Sequence, residues 1–249
     1  MIDIHCHILF GLDDGSDNIE ESVRMARIAV DSGIRAIIAT PHSNVPNSYR
    51  NYWNDELTAR LNDLTKRLEE EKLPLKIFPG HEIFASGDFI GLINEKKLLT
   101  LNGSVFPLVE FDFEEYSDSV YLKLKKLVAN GFTPIVAHPE RYSFVHEDDD
   151  AIRRIKNIGC LIQVNKGSLI GRFGKYSHRA AHAMMRRNMV DVIASDCHRP
   201  YMRTPIMEDV YMSLARKYPR QYLELLVEKN PGKICQDEPV LPFSAEREF

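Results

Sequence analysis

Histidines and carboxylates stand directly after apolar, strand-like runs at six places in the sequence. The runs with their polar ends are IDIHCH, IIATPH, IFPGHE, FPLVEF, IVAHPER and VIASDCH. Imidazoles and carboxylates are common ligands of divalent metal ions and common acids and bases in hydrolysis. The candidates are His5, His7, His42, His81, Glu82, Glu110, His138, Glu140, Asp196 and His198.

The spacing within two of these runs suits a shared metal ion. His5 and His7 alternate with Cys6, and the period of two on a strand points both imidazoles to the same side. Asp196 and His198 repeat this spacing. A lone His-x-His pair is equally compatible with a hydrogen-bonded core or rim residue, but metal-type ligands at so many strand ends together predict metal binding.

The kind and number of ligands indicate the chemistry. Imidazole and carboxylate without thiolate suit Mn²⁺, Fe²⁺ or Zn²⁺, and about eight ligands exceed what one ion can use, so two or three ions are implied. Closely spaced ions lower the pKa of a bridging water and stabilise both oxygens of an in-line displacement. The ligand set therefore predicts phosphoester hydrolysis by a hydroxide that bridges the metal ions.

Two arginines beside these ligands are candidate phosphate contacts. Arg141 lies three residues after His138, and Arg203 lies seven residues after Asp196. A loop arginine taken alone is usually solvated, but here a planar guanidinium would offer a bidentate donor to an oxyanion substrate. Arg199 is a weaker third choice.

Seven short runs rich in Ile, Val and Leu alternate with segments of helical spacing. The predicted strands are residues 2–5, 36–39, 75–78, 105–110, 134–137, 160–164 and 191–194. This alternation predicts an α/β fold of parallel strands with helical crossovers, either a doubly wound sheet or a barrel slightly short of eight strands. In a barrel, the loops after the strands form one face, where the ligands would gather.

Helix signals lie between these strands. Residues 17–18 and 117–118 are helix starts, and Gly33 and Gly131 are stops. Residues 51–72 predict one long charged helix, and residues 205–229 predict one or two more. From about residue 230 to residue 249, a Pro-containing tail is expected to be loosely attached.

Length and composition predict one domain over residues 1–249, since 44% hydrophobic residues suffice for one sizeable core. The net charge is −4 and the sequence has no basic run, so no positively charged surface for nucleic acid or an anionic membrane is expected. The sequence has no apolar stretch of spanning length and no apparent leader, and its four scattered cysteines suit free thiols. A cytoplasmic protein is expected.

The motifs resemble the polymerase and histidinol phosphatase (PHP) superfamily, specifically the manganese-dependent bacterial protein-tyrosine phosphatases encoded with capsule and exopolysaccharide genes. MIDIHCHILFGLDDG, IIATPH, PGHEI, HPERY, GSLIGRFG and IASDCH match in order over roughly the first 200 residues. The resemblance implies a distorted (β/α)7 barrel with a metal site at the carboxyl ends of its strands. It also implies a phosphotyrosine protein as substrate, with a bacterial tyrosine kinase of polysaccharide biosynthesis as the expected partner.

The resemblance also assigns the site residues. It implies up to three ions, Mn²⁺ before Fe²⁺ or Zn²⁺, held by His5, His7, His42, Glu82, Glu110, His138, Asp196 and His198. It assigns phosphate contacts to Arg141 and Arg203, and a supporting or proton-handling role to Asp14 in the DDG turn. It selects Glu82 over His81 and makes Glu140 a supporting group.

The chain departs from the family pattern at two places. In the sixth loop, QVNKGSL brings in Lys166, which either contacts phosphate or is solvated. The chain ends PVLPFSAEREF rather than in the basic, aromatic tail of some relatives, which weakens any inference of membrane association. Tyr49, Tyr52 and Trp53 could form a substrate rim, a subunit contact or a helix cap.

Rival chemistries are open at this point. Cys197 to Thr204 fits the Cys-x₅-Arg-Ser/Thr string of cysteine-dependent phosphatases, but this loop lacks glycine, contains Pro200 and places Asp196 beside the thiol. On the same metal site, a histidinol-phosphate-type phosphomonoesterase or a phosphodiesterase is the alternative. A non-enzymatic metal-binding module is disfavoured because both arginines and the full ligand set are present.

Overall fold

The computed structural model describes residues 1–243 and places a strand at each of the seven predicted runs. All strand pairs in this part of the chain are parallel. The strands are β1 (Ile2–Cys6), β2 (Ala36–Ala39), β3 (His42–Ser43), β4 (Lys76–Pro79), β5 (Glu82–Phe84), β6 (Leu108–Glu110), β7 (Ile135–Ala137), β8 (Leu161–Asn165) and β9 (Val192–Ala194).

Helices cover the outside of the strands. They are α1 (Ile19–Asp31), α2 (Asp55–Glu70), α3 (Phe89–Asn94), α4 (Ser117–Ala129), α5 (Ser143–Glu147), α6 (Ala151–Ile158), α7 (Lys166–Leu169), α8 (Gly174–Arg186), α9 (Glu208–Leu214), α10 (Arg220–Glu224) and α11 (Asn230–Cys235). The π-helical segment Leu225–Lys229 joins α10 to α11. In residues 1–243, no helix is both long enough and apolar enough to cross a membrane.

Two of the predicted strands, β2 and β4, are each followed after a break of two residues by a short strand that was not predicted, and the strands form two sheets. Thr40 and Pro41 separate β2 from β3, and Gly80 and His81 separate β4 from β5. One sheet has the order β1-β2-β4, and the other has the order β3-β5-β6-β7-β8-β9. The bridge between Cys6 and the segment after β9 closes the ring. The predicted (β/α)7 barrel is therefore confirmed, with distortion where the strands break.

Apolar residues on the strands alternate between the inside of the barrel and the helix-facing outside. Ile38 and Leu108 belong to an inner cluster of strand residues, whereas their neighbours Ile37 and Val109 belong to the larger cluster that includes the helices. Burial on both faces explains why these strands are continuous apolar runs rather than alternating ones. The rigid barrel that results holds the strand ends in fixed positions.

Helix ends follow the predicted signals. The Asn18 side chain accepts a hydrogen bond from the Glu21 backbone N–H at the start of α1, which satisfies one of the free donors of the first turn. Gly33 and Gly131 follow the ends of α1 and α4 with φ of +82° and +87°, a left-handed conformation that glycine adopts without steric cost.

The segment from residue 230 differs from the predicted loose tail. Helix α11 starts with Pro231 in its first turn, and its Ile234 is fully buried in the inner cluster at the amino-terminal end of the barrel. The Leu241 backbone N–H donates to the Asn230 side chain, and Phe243 packs on Tyr222. Residues 230–243 thus close the barrel bottom, while residues 244–249 of the expected tail lie outside the described residues.

Candidate metal centre

The predicted ligands lie together at the carboxyl ends of the strands. They come from β1 and the residue after it, from the first residues of β3 and β5, from the end of β6 and from the loops after β7 and β9. The side chains of His42 and Glu110 are 15% and 11% exposed, and the others are buried more deeply. The cluster is therefore largely buried, and His42 and Glu110 mark its mouth, the side on which ligands are partly exposed to solvent.

Glu82 lies at the centre of this cluster. Its Oε2 is 3.1 Å from His5 Nε2 and 3.3 Å from His7 Nε2. The same oxygen is 3.0 Å from His42 Nδ1, and Oε1 is 2.8 Å from His138 Nε2. Carboxylate oxygens and unprotonated ring nitrogens are all acceptors, so this arrangement needs protons or metal ions between its members.

Asp196 is the second carboxylate shared by several imidazoles. Its Oδ1 is 3.5 Å from His5 Nε2 and 3.4 Å from His7 Nε2, and 3.5 Å from His198 Nδ1. Asp196 has φ of +49°, and His138 has φ of +34°, which non-glycine residues rarely adopt. Backbone strain at these two positions turns both side chains towards the cluster.

The ligand atoms form three overlapping groups, each with all atoms within 4.8 Å of one another. His138 lies outside these groups but is 3.5 Å from Glu110. Because neighbouring groups share a histidine or Glu82, adjacent ions would share ligands. The groups are His7, Asp14, His42 and His198; His5, His7, Glu82 and Asp196; and His42, Glu82 and Glu110.

Several buried polar atoms of the cluster lack a hydrogen-bond partner in the described part of the chain, and their positions show whether metal ions would fit there. Within residues 1–243, Glu82 Oε2, Asp196 Oδ1, His42 Nδ1 and His198 Nε2 are buried without a hydrogen-bond partner. Each unsatisfied buried polar atom costs about 1–3 kcal/mol, so several at one place indicate a missing partner. The atoms face one another and are nitrogen and carboxylate oxygen, the donor set of Mn²⁺, Fe²⁺ and Zn²⁺. The residues therefore fit a group of divalent ions.

The electrostatics of the cluster favour added positive charge. Burial and the Glu82 carboxylate raise the pKa of Glu110 to about 8. Burial opposes protonation of His42, but the Glu82 carboxylate outweighs burial, and the pKa of His42 rises to about 9. Both groups thus take up a proton more readily than usual, which is the response expected where carboxylates are crowded and a cation is wanted.

Three residues that the sequence analysis did not single out orient the ligands. The buried Asp13 Oδ2 is 2.7 Å from His7 Nδ1 and also accepts the His42 backbone N–H. Gln163 Oε1 is 2.9 Å from His5 Nδ1. Contacts of this kind occupy one ring nitrogen and direct the other towards the metal site.

The third orienting residue, Asn165, donates from its side-chain amide to Asp196 Oδ2. Gln163 and Asn165 are polar residues two positions apart on the apolar strand β8, with both side chains inside the barrel. That spacing was a usable signal for the pair. Asp13 adjoins the predicted Asp14 in the same turn, and nothing in the turn sequence distinguishes the two carboxylates.

Asp14 lies at the mouth of the cluster with its side chain half exposed. Its Oδ1 is 3.4 Å from His198 Nε2 and 3.6 Å from His42 Nε2. Burial opposes ionisation, but contact with His198 lowers the pKa of Asp14. Asp14 is thus in reach of both ligands and of a molecule that enters the mouth.

The two predicted phosphate arginines lie on one side of the cluster, next to Asp196. Arg203 pairs with Asp196 Oδ2, and Arg141 Nη1 is 3.7 Å from the same oxygen. Their side chains are 26% and 20% exposed. Both guanidinium groups can therefore reach a ligand in the mouth while their stems remain held by the protein. Arg199 instead forms an ion pair with Asp17 and Glu21 away from the cluster.

The remaining polar candidates have structural partners. His81 Nδ1 accepts the Leu99 backbone N–H, and His81 belongs to none of the three ligand groups. Glu140 Oε1 accepts hydrogen bonds from the Asn165 backbone N–H and the Ser168 hydroxyl. Both residues thus fix the backbone near the site.

Lys166 is neither solvated nor directed at the mouth. It is 2% exposed, its Nζ donates to the Ile206 carbonyl oxygen, and Asp209 lies 3.7 Å away. The ammonium therefore fastens the loop that carries Arg203 to α7. Neither role that the sequence left open for Lys166 matches this position.

Of the three aromatic residues near the second loop, Tyr49 borders a ligand. Its ring stacks on His42 at a centroid distance of 5.9 Å and an interplanar angle of 7°. Tyr52 donates to the Asn44 side chain, and Trp53 packs against the edge of His81. Tyr49 thus forms one wall of the mouth.

The cysteine-based alternative does not fit the geometry. Cys197 is fully buried, and its Sγ lies 3.9 Å from the Arg199 carbonyl oxygen. Its backbone forms an isolated β-bridge with the backbone of Cys6, and both thiols are free. Arg203 pairs with Asp196 rather than lying over the thiol. A nucleophilic thiolate needs access to substrate and a cationic neighbour, and Cys197 lacks access.

Comparison with known proteins shows that this chain is similar to proteins of one family, CpsB/CapC. The family model for capsular polysaccharide synthesis, CpsB/CapC, matches residues 1–236. Tyrosine-protein phosphatase YwqE of Bacillus subtilis is 34% identical over 92% of this chain and 89% of its own length. Tyrosine-protein phosphatase CpsB of Streptococcus pneumoniae is 30% identical over 96% and 99%.

A solved structure of such proteins has the same fold. A chain from the crystal structures of YwqE and CpsB, described as unique metal-dependent tyrosine phosphatases, superposes with a TM-score of 0.90. It is 31% identical to this chain, and the match covers 98% of this chain and 97% of the solved one. The whole barrel, including the strand ends that carry the cluster, is therefore shared.

Proposed function

Because the chain belongs to the CpsB/CapC family of capsular polysaccharide synthesis, we propose that it is a metal-dependent protein-tyrosine phosphatase acting on a bacterial tyrosine kinase. The family predicted from the motifs is confirmed. The observation that carries the activity is a buried cluster of imidazoles and carboxylates with two arginines on one side.

The metal side of the site consists of the eight predicted ligands. When bound, two or three ions supply positive charge for the phosphoryl oxygens and make a water acidic enough to act as nucleophile. We assign Mn²⁺ to the site, with Fe²⁺ or Zn²⁺ as alternatives, because the donors are imidazole and carboxylate. The ligands are His5, His7, His42, Glu82, Glu110, His138, Asp196 and His198.

The protein's own contribution on the metal side is orientation. Asp13 and Gln163 hold the outer ring nitrogens of His7 and His5, so both Nε2 atoms face Glu82 without reorganisation. Burial of the cluster keeps bulk water away and strengthens the electrostatic interactions inside it.

Arg141 and Arg203 bind the phosphate group of the substrate. Each guanidinium offers parallel N–H donors that match the oxygens of a phosphate dianion. Charge on the equatorial oxygens redistributes in the transition state, so donors already held in place stabilise it without rearranging. Their position beside Asp196 sets the direction from which the phosphate enters.

The leaving group makes a modest demand on the protein. A tyrosine phenolate has a pKa near 10, so expulsion needs little assistance. Asp14 Oδ1, at the half-exposed mouth, is assigned a supporting role, because its lowered pKa favours the ionised form, which steadies the rings of His42 and His198 and can accept rather than donate a proton.

We infer the class of the natural substrate from the family and from the chemistry of the site. A family of capsular polysaccharide synthesis with phosphatase relatives requires a protein that becomes phosphorylated on tyrosine in the same process. We propose that this substrate protein is a bacterial tyrosine kinase of polysaccharide biosynthesis, which is the partner that the resemblance of the motifs implies. The aromatic phosphotyrosine side chain also suits a mouth that the Tyr49 ring borders.

A comparison of three substrates distinguishes a protein-tyrosine phosphatase from a small-molecule phosphatase and from a phosphodiesterase. Turnover of a phosphotyrosine peptide is compared with turnover of histidinol phosphate and of a phosphodiester, and metal content is measured on the same sample. We expect the phosphotyrosine peptide to have the highest kcat/KM. Faster turnover of histidinol phosphate would identify a small-molecule phosphatase, and faster turnover of the diester would identify a phosphodiesterase.

A further inference from the structure

The motif GSLIGRFG has no role in the metal cluster, yet one of its residues contacts both phosphate arginines. The Cζ atom of Arg141 lies 4.7 Å from the ring centre of Phe173, and that of Arg203 lies 5.6 Å from the same centre. On its other side, Arg141 lies 4.5 Å from the ring centre of Phe113. A single phenyl ring thus adjoins both guanidinium groups.

The position of the Phe173 ring is fixed by its backbone and by one close contact. Gly171 and Gly174 on either side have φ of +80° and +85°, so the chain turns sharply around Phe173. A Cβ atom on Gly167 would lie 2.5 Å from Phe173 Cε2, far inside normal contact distance. The ring therefore packs directly on the Gly167 backbone, and the lack of a side chain there makes room for it.

A ring in this position leaves the useful part of an arginine free. Aromatic faces attract the flat face of a guanidinium, while the N–H donors point outward from its edge and are available to an oxyanion. The nearest anionic competitor is Asp196, which already pairs with Arg203 and lies 3.7 Å from Arg141. Without the ring, both side chains would gain rotamer freedom, and Arg141 could fold onto that carboxylate as Arg203 already does.

We propose that Phe173 is a positioning residue of the phosphatase reaction: its ring, seated on Gly167, holds Arg141 and Arg203 in the orientation that receives the phosphate. This inference rests on the proposed function. It adds to that function a residue that acts on the substrate through the two arginines, without contact to the metal ligands.

The first test replaces the ring while keeping apolar bulk. Phe173→Leu is expected to lower kcat/KM for a phosphotyrosine peptide about tenfold, the scale of losing a partly desolvated cation–π contact. Metal content should not change, and the loss should appear in both kcat and KM, as is expected for Arg141→Ala. Phe132→Leu, at a partly buried ring in the loop before β7, is the matched control and should keep wild-type kinetics.

The second test asks whether Phe173 acts through the arginines. In a background that already carries Arg141→Ala and Arg203→Ala, Phe173→Leu is expected to change kcat/KM less than twofold. A ring that only stabilises the fold would lower activity by the same factor in both backgrounds. An equal, multiplicative loss would overturn the proposal.

A third variant displaces the ring without removing it. Gly167→Ala introduces the clashing Cβ, so it should reproduce the kinetic loss of Phe173→Leu, and adding it to Phe173→Leu should cost little more. Wild-type kcat/KM in both Phe173→Leu and Gly167→Ala would refute the positioning role. Failure of the proposed function would instead show as a wild-type protein that does not hydrolyse the peptide.

Discussion

At the scale of single residues, the carboxylate of Asp196 separates a metal side of the site from a phosphate side. Oδ1 faces His5, His7 and His198, whereas Oδ2 faces Arg203 and the Asn165 amide. The two sides can therefore be perturbed separately by mutation.

Removal of either phosphate arginine should lower turnover without loss of metal. Arg141→Ala and Arg203→Ala delete a cation next to the cluster, which should if anything ease metal binding, but each removes a charge-assisted donor to the substrate dianion. We expect a loss of about 2–4 kcal/mol in transition-state stabilisation, seen in kcat as well as KM. Steady-state kinetics with metal analysis measure this.

Arg24→Ala is the matched control for these variants, because Arg24 is exposed on α1. It should keep wild-type kinetics. An effect of Arg141→Ala or Arg203→Ala on KM alone would mean that the arginines bind ground state and transition state equally. Unchanged kcat/KM in both variants would make them surface charges and leave the assignment dependent on the metal cluster.

Adjacent residues Asp196 and Cys197 should respond oppositely to mutation. Asp196→Ala removes a carboxylate shared by three imidazoles, so nearly all activity and part of the bound metal should be lost. Cys197→Ser changes a buried thiol with no access to substrate, so most activity should remain. An inactive Cys197→Ser protein that folds and binds metal normally would revive the cysteine mechanism.

The sequence predicted the residues that gather in the cluster better than the residues that orient them. His5, Glu82 and Asp196 could be predicted because each lies at or just after the end of an apolar, strand-like run of the sequence, near the face where barrel sites form. Asp13 and Phe173 could not, because their roles depend on which side chain of a turn points inward. That choice is made by tertiary packing rather than by local pattern.

At the scale of elements, the break between β4 and β5 shows how the barrel places Glu82 at the centre of the cluster. A Cβ on Gly80 would lie 2.9 Å from the Ile38 side chain, so the glycine lets β4 pass close to β2 just before Glu82. The chain then rejoins the second sheet, where Glu82 pairs with His42 in register. The sequence run predicted one strand here and could not show that it changes sheets.

Helix α11 should be a structural part of the barrel rather than a loose end. Ile234→Ala leaves a cavity in the inner cluster, so the free energy of unfolding should fall by about 2–5 kcal/mol and Tm should fall with it. Thermal and denaturant unfolding measure the change. The exposed Gln236→Ala, just after the helix, is the control. Unchanged stability of Ile234→Ala would restore the loosely attached tail that the prolines suggested.

Pro231 suggested a loose tail because the sequence does not reveal the helix in which this proline lies. Pro231 lies in the first turn of α11, directly after the π-helical segment Leu225–Lys229, where the regular α-helical pattern of backbone hydrogen bonds is already interrupted. Ile234 then packs against residues that are distant in sequence, such as Ile2. A short helix with one apolar anchor has too little periodicity to predict.

At the scale of the whole molecule, closure of the barrel brings together ligands that are far apart in the chain. Two backbone hydrogen bonds of 2.8 Å join the first strand to the segment after the last one. The Asp196 N–H donates to the His5 carbonyl oxygen, and the His7 N–H donates to the Cys197 carbonyl oxygen. Ligands from both ends of the sequence thus meet only in the folded chain. The alternation of strands and helices was enough to predict this convergence, although not the distances within it.

If the folded chain hydrolyses phosphotyrosine through metal ions held by this cluster, activity and bound metal should be lost and regained together. The most direct measurement is turnover of a phosphotyrosine peptide by one preparation before chelation, after chelation and dialysis, and after addition of Mn²⁺, Fe²⁺ or Zn²⁺, with metal content determined at each stage. We expect activity to disappear with the metal and to return most fully with Mn²⁺. Full activity in excess chelator, with no metal detected in the protein, would contradict the account.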